Sequence, residues 1–293
     1  MARSKGTEVG VFESKVAIVT GAGGIGKAVA KLFAAEGGKV LVVDLPAREA
    51  GTPSVADRAV DEIRAEGGDA VAYHATIGKW DAGKAIVKAA IDAFGRVDVL
   101  VSAAGNIAVT PIVDITEREW DSINDVHMKG QVSLVQAFAR AVIARDGRGS
   151  VLLFSSRASF LAPTPAYAAA KAGVLGLTTS AAMELEEHGI NVNAILPSAQ
   201  TTLFPGEASS RPVSGGTPFV SDVDPAAIAP AVLFPATEAG FGITGRWIYA
   251  AGNDAAIYPR PLVLANVPTL LRGGSRWTLE GLEAVLPKLT EAQ

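Results

Sequence analysis

The chain has 293 residues, 49% of them hydrophobic, a net charge of −4 and no cysteine. That supplies one large core, while the weak negative charge argues against a nucleic-acid or anionic-membrane partner. Disulfides, thiolate nucleophiles and zinc-thiolate sites are excluded. The start "MARSKGTEVGVFESK" lacks a signal-peptide core and no stretch gives eighteen unbroken apolar residues, so a soluble, cytoplasmic protein without membrane contact is expected. His74, His127 and His188 lack the spacing of helical metal ligands, so no metal is expected.

Residues 1–14 read as a flexible tail. "KVAIVT" then predicts a strand that runs into "GAGGIG" and a helix, "KAVAKLFAAEGG". "KVLVVD", a helix in "ADRAVDEIRAEGG", "DAVAYH" and a helix in "WDAGKAIVKAAIDAFG" continue the rhythm. "VDVLVSAAG" follows, then a long helix from about Glu117 to Arg145, "SVLLFSS", the segment "PTPAYAAAKAGVLGLTTSAA" and "INVNAILP". Short Val/Ile/Leu runs alternating with Gly-bounded helices predict a parallel sheet buried on both faces: an α/β, doubly wound, Rossmann-type single domain over 15–252. The Pro-, Gly- and Ser-dense stretch at about 198–224 reads as a surface loop of the length that commonly forms a lid. "DPAAIAPAVLFPATEAG" resumes a helix and "GRWIYAAG" a last strand, leaving 253–293 as a C-terminal extension with one amphipathic piece.

Gly21, Gly23 and Gly26 form G-x-G-x-x-G between a strand and a helix. There glycine permits a tight turn, and the helix N-terminus offers free N–H groups to a pyrophosphate. Gly24 and Ile25 belong to the same turn. Asp44, eighteen residues after Gly26, ends the second strand. Its carboxylate is placed to accept the ribose hydroxyls of an adenosine and to repel a 2′-phosphate, which favours NAD over NADP. The plain alternative is a turn aspartate before Pro46.

Tyr167 and Lys171 stand at i and i+4 and share a helix face. A nearby ammonium favours the phenolate, so the tyrosine pKa is expected to fall and the phenol to serve as general base or acid. Spacing alone equally fits a surface Tyr–Lys pair.

With "TGAGGIG", "SAAG" (Ser102 to Gly105), "YAAAK" and "PSAQTT" in this order, the chain resembles the short-chain dehydrogenase/reductase family over roughly Lys15 to Gly252. The resemblance implies tyrosine as acid/base, lysine on the nicotinamide ribose and a serine at the end of the fifth strand orienting the substrate oxygen. It adds Ala103, Ala104, Gly105, Pro197 and Thr201 to the cofactor-binding set, together with Tyr167 and Lys171. "VVDLPAREAGTPSVADRAVDEIRAEGGDAVA" looks like the branch that includes the (3R)-hydroxyacyl-CoA dehydrogenase part of the β-oxidation multifunctional enzyme.

Four departures accompany the likeness. The glycine loop is one residue short. His127 stands where the family has a relay asparagine; it can replace that function or simply pack against its helix. Ser156 lies eleven residues before Tyr167 instead of thirteen, leaving Ser155 and Ser159 open as the catalytic serine, with strand register favouring Ser156. Ser198 replaces a glycine, and the adenine-contacting aspartate near His74 to Ile77 is missing.

Phe160, Leu161, Leu203, Phe204 and Phe219 border the expected substrate site and point to an apolar or amphipathic alcohol or ketone, or else anchor the loop. Arg211 stands alone, so no phosphorylated substrate is indicated. The small residues of "AAAKAGVLGL" suit a helix-to-helix contact, from which a homotetramer or homodimer is expected. The reading is an NAD-dependent alcohol dehydrogenase with Tyr167, Lys171, Ser156 and His127 as its working residues. The alternatives are an NADPH-dependent 3-oxoacyl reductase and a nucleotide-binding protein of the same fold without turnover.

Overall fold

A computed structural model describes residues 10–199, 201 and 224–259. Eight strands form one sheet: β1 (Val16–Thr20), β2 (Lys39–Asp44), β3 (Asp69–His74), β4 (Val99–Ser102), β5 (Gly149–Phe154), β6 (Ile190–Ser198), β7 (Trp247–Ala251) and β8 (Asp254–Ile257). Their order is β3-β2-β1-β4-β5-β6-β7-β8. The first seven run parallel, and β8 pairs antiparallel with β7. The sequence reading ended the sheet at Gly252 and missed β8, whose four residues are all exposed and carry no apolar pattern.

Among the described residues, eight α-helices flank the sheet: α1 (Gly24–Ala35), α2 (Val55–Ala65), α3 (Ala82–Phe94), α4 (Glu117–Asn124), α5 (Gln131–Ala144), α6 (Ala158–Leu161), α7 (Pro165–Leu185) and α8 (Pro225–Leu233). Val29, Ala30 and Phe33 of α1 join Val60 of α2 and Val232 of α8 on one face, against Val19, Val42, Val101 and Leu152. Alternation along each strand sends Ile18, Leu41, Leu100 and Leu153 to the other face, where Ile86 of α3, Leu134 and Phe138 of α5 and Val174 of α7 cover them. Strands buried on both sides explain the near-continuous apolar runs. No helix among the described residues is long and apolar enough to cross a membrane.

The single long helix expected from Glu117 to Arg145 is in fact α4 and α5 joined by a π-helical turn, Asp125–Gly130. The expected flexible tail is tied down from its last residues: Phe12 is buried and stacks on Phe33 at 4.3 Å between ring centroids. Of the expected lid, only Ser198, Ala199, Thr201 and Asp224 are described; Leu203, Phe204, Arg211 and Phe219 lie outside the described residues, as does nearly all of the extension.

The chain leaves β1 toward β2 and β3, then returns to the other side of β1 to make β4. That reversal opens a crevice at the carboxyl ends of β1 and β4, the place where such sheets bind ligands.

Candidate active site

The crevice is a cavity of about 950 Å³. Its first half is built on the turn after β1. Gly21 has φ +84° and donates its N–H to Val43 O at 2.8 Å. Asp44 reinforces the shortened turn: Oδ2 accepts Ala22 N–H and Oδ1 accepts Leu45 N–H, both at 2.7 Å. These bonds leave carboxylate lone pairs for further donors.

Helices α2 and α4 begin with capping boxes, Ser54 with Asp57 and Thr116 with Glu119. Helix α1 begins at Gly23 with no side-chain cap, so its first N–H groups are left for an anion in the crevice. Gly21, Gly23, Ile25, Gly26 and Asp44 line the cavity. Gly24 instead faces Thr201: a Cβ added to it would sit 2.9 Å from Thr201 Cγ2. Ala103, Ala104 and Gly105, Pro197 and Thr201 form other parts of the wall. An uncapped helix start, a close backbone turn and a carboxylate lining the cavity fit a dinucleotide.

Arg48, just beyond Pro46, also lines this end, as does Arg58, which sequence reasoning missed. The available signal was the Ser54-x-x-Asp57 box, which fixes where α2 starts and so sets Arg58 in its first turn.

The second half gathers around α7. Tyr167, Ala170, Lys171, Val174, Thr178 and Ala181 make its buried stripe. The structure separates the serines. Ser155 donates to Lys171 O at 2.7 Å and ties β5 to α7, whereas the Ser156 side chain hydrogen-bonds Tyr167. Ser159 donates to Ser156 O at 2.7 Å.

His127, carried by the π-turn, is fully buried. Its Nε2 lies 2.8 Å from Asn106 O and 3.4 Å from Asn106 N, so the shorter contact assigns Nε2–H as donor. Nδ1 is then a buried acceptor with no protein partner among the described residues. The imidazole meets the Tyr167 ring edge-on at 5.4 Å. A Cβ on Gly105 would approach His127 Cε1 to 2.8 Å, which is why glycine follows Ala104.

Electrostatics corrects one expectation. Burial pushes the Tyr167 phenol up to about 12, with the Ser156 hydrogen bond pulling weakly the other way. Lys171 donates its ammonium to Phe154 O at 2.7 Å and stands 5.5 Å from the tyrosine ring centroid. Burial brings that amine down to about 7, so near neutrality it is only partly charged and does not depress the phenol. His127 falls to about 3, through burial first and Lys171 second, and is neutral.

A folded lysine near 7 against 10.5 when unfolded has a defined consequence. Between about pH 7 and 10 the unfolded chain holds a proton that the folded one lacks, so this residue makes stability rise with pH. Melting temperatures of the dinucleotide-free protein across this window should show that slope, and Lys171→Met should flatten it.

A short chain dehydrogenase family model matches residues 15–211. The chain belongs to that family. Among curated relatives of this short-chain dehydrogenase, peroxisomal multifunctional enzyme type 2 of Drosophila melanogaster is 36% identical over 232 residues, covering 76% of this chain but only 36% of the relative. The chain thus spans about a third of that relative's length. The 3-oxoacyl-[acyl-carrier-protein] reductase FabG of Staphylococcus aureus is 36% identical over 249 residues, with 82% of this chain and 98% of the relative covered. A crystal structure of a short chain dehydrogenase from Mycobacterium avium superposes with a TM-score of 0.83 at 30% identity, covering 96% of both chains. The curated relatives matched over most of this chain include enzymes named as reductases.

Proposed function

We propose that the chain is an NAD-dependent dehydrogenase of hydrophobic secondary alcohols, reversible toward the ketone, with Tyr167 as acid/base. The observation that carries the reading is the hydrogen bond between Ser156 and a buried Tyr167, with Lys171 one helical turn behind, all opening into the dinucleotide-sized crevice.

Ser156 holds the substrate oxygen beside the phenol. In the reductive direction the protonated phenol donates directly to the carbonyl oxygen, which suits its raised pKa. In the oxidative direction the alcohol proton passes to Tyr167 as phenolate, a form that the positive charge of a bound oxidised nicotinamide would favour against the burial that raises the phenol. Lys171, with a pKa near neutrality, carries the proton onward from the phenol. His127, neutral and with Nδ1 free to accept, extends the path behind it. A nicotinamide held in the crevice would supply the hydride acceptor or donor for the carbinol carbon. Asp44 and the α1 N-terminus would hold the adenosine ribose and pyrophosphate, and Leu161 and Ala162 add apolar lining to the crevice.

Asp44 supports NAD, while Arg48 and Arg58 at the same end favour a second reading, NADP with a 3-oxoacyl thioester reduced. Titrating the protein with NADH and NADPH separates them. The expected result is tighter NADH binding, with Asp44→Ala shifting the ratio toward NADPH by about tenfold or more. A wild-type preference for NADPH overturns the cofactor assignment. An NADH-formation screen over 3-hydroxyacyl thioesters, steroids, cyclic terpene alcohols and aryl carbinols then finds the substrate.

The outer face of α7 presents the small residues Ala169, Gly176 and Ser180. They support assembly as a homotetramer or homodimer, which sedimentation would measure. A cytoplasmic location is part of the same reading.

A further inference from the structure

Three serines meet just beyond the end of β5, and the mechanism above uses one of them. Ser155, Ser156, Arg157 and Ala158 line the cavity, whereas Ser159, in α6, lies outside that lining. Ser159 nonetheless spends its hydroxyl on the strand end. Its Oγ donates to Ser156 O at 2.7 Å, and its N–H donates to the same carbonyl at 3.1 Å. Ser155 gives its own proton to Lys171 O at 2.7 Å. A serine hydroxyl carries one proton, so the 3.3 Å contact between Ser155 Oγ and Ser159 Oγ is secondary to these two bonds.

The side chain of Ser156 is held as well. Ala158 N–H donates to Ser156 Oγ at 3.1 Å. That bond takes one lone pair and polarises the hydroxyl, which makes its proton a better donor. One proton and one lone pair are left for the Tyr167 phenol and the substrate oxygen. Phe160 fastens the outer side of the same turn by stacking on Trp247 of β7 at 6.3 Å between ring centroids. Ser159 therefore touches the site only through Ser156.

Resting on the reading of Ser156 as the group that holds the substrate oxygen, we propose that Ser159 is a positioning residue for the reaction. Its two bonds to Ser156 O fix the peptide between Ser156 and Arg157. That peptide in turn sets where Ala158 N–H points and which way the Ser156 hydroxyl faces. The benefit falls in the transition state, where negative charge gathers on the substrate oxygen and a donor already in place stabilises it.

The test is a double-mutant cycle in steady-state kinetics, with NAD and the fastest alcohol of the screen named above. Ser159→Ala should lower kcat about 10- to 100-fold, the upper figure being the cost of misplacing a reacting group by about 1 Å, with KM for NAD unchanged. Ser156→Ala should lower kcat at least as far. The two substitutions combined should be no slower than Ser156→Ala by itself, because a positioning residue then has nothing left to position. A merely structural Ser159 gives another pattern: the two penalties multiply, or kcat per folded molecule keeps its wild-type value while the melting temperature falls. Either result overturns the proposal. Failure of the underlying reading looks different: Ser156→Ala itself then leaves kcat unchanged, or turnover persists in Tyr167→Phe, and the role of Ser159 falls with it.

Discussion

Tyr167→Phe is expected to lower kcat for the best alcohol substrate by about 100- to 10,000-fold, the range for losing a positioned acid/base, with NADH affinity unchanged. The substitution isolates chemistry from structure because the ring is buried at 3% exposure and phenylalanine fills nearly the same volume. The hydroxyl and its bond to Ser156 disappear, at a stability cost of about 1 kcal/mol. The serines provide the internal comparison. Ser156→Ala should also reduce kcat, since it removes the group that holds the substrate oxygen. Ser155→Ala should reduce stability instead, because Ser155 spends its hydroxyl on Lys171 O. Steady-state kinetics beside thermal melts check both, and the opposite pattern would exchange the roles of the two serines.

Gly26→Ala is the second large effect. A Cβ at this position would sit 1.9 Å from Gly21 O. The obstacle is backbone in the turn itself, so no side-chain rotation relieves it. Either α1 moves away from β1 or the turn opens. Both damage the core contacts of Val29 and Phe33 and displace the N–H groups that face the cavity. A loss of about 3 kcal/mol is expected, in the range of overpacking a filled interior, together with at least about a tenfold loss of dinucleotide affinity, since a single charge-assisted contact is worth that much. Thermal melts with and without NADH measure both; an unchanged melting temperature would refute the close approach.

Most of the sheet was legible because burial on both faces forces apolar runs, and these stand out between Gly-bounded helices. β8 was not, since an exposed edge hairpin needs no apolar side chains. The cavity residues Gly21, Asp44, Tyr167 and Lys171 were found from strand ends and spacing, which local patterns encode. What spacing does not encode is burial. It predicted a phenol made acidic by its lysine, whereas desolvation raises the phenol and lowers the amine. It left Ser155 and Ser156 open, because the choice depends on how β5 meets α7. For Phe160 substrate contact and loop anchoring were both open; it stacks on Trp247 at 6.3 Å, while Leu161 lines the cavity. Arg58 and Arg157 went unnoticed because each enters the cavity only through the tertiary placement of α2 and of the turn after β5.

The π-turn between α4 and α5 has a geometric corollary. Each α-helical residue advances about 100° around the axis, so one added residue rotates everything downstream by that angle. With the wide turn in place, His127 reaches the phenol while Leu134 and Phe138, further along, still point at the sheet. Asp125–Gly130 therefore works as a phase corrector between two faces with different duties. Shortening it by a single residue would misdirect one of them, so this stretch is constrained in length more than in composition.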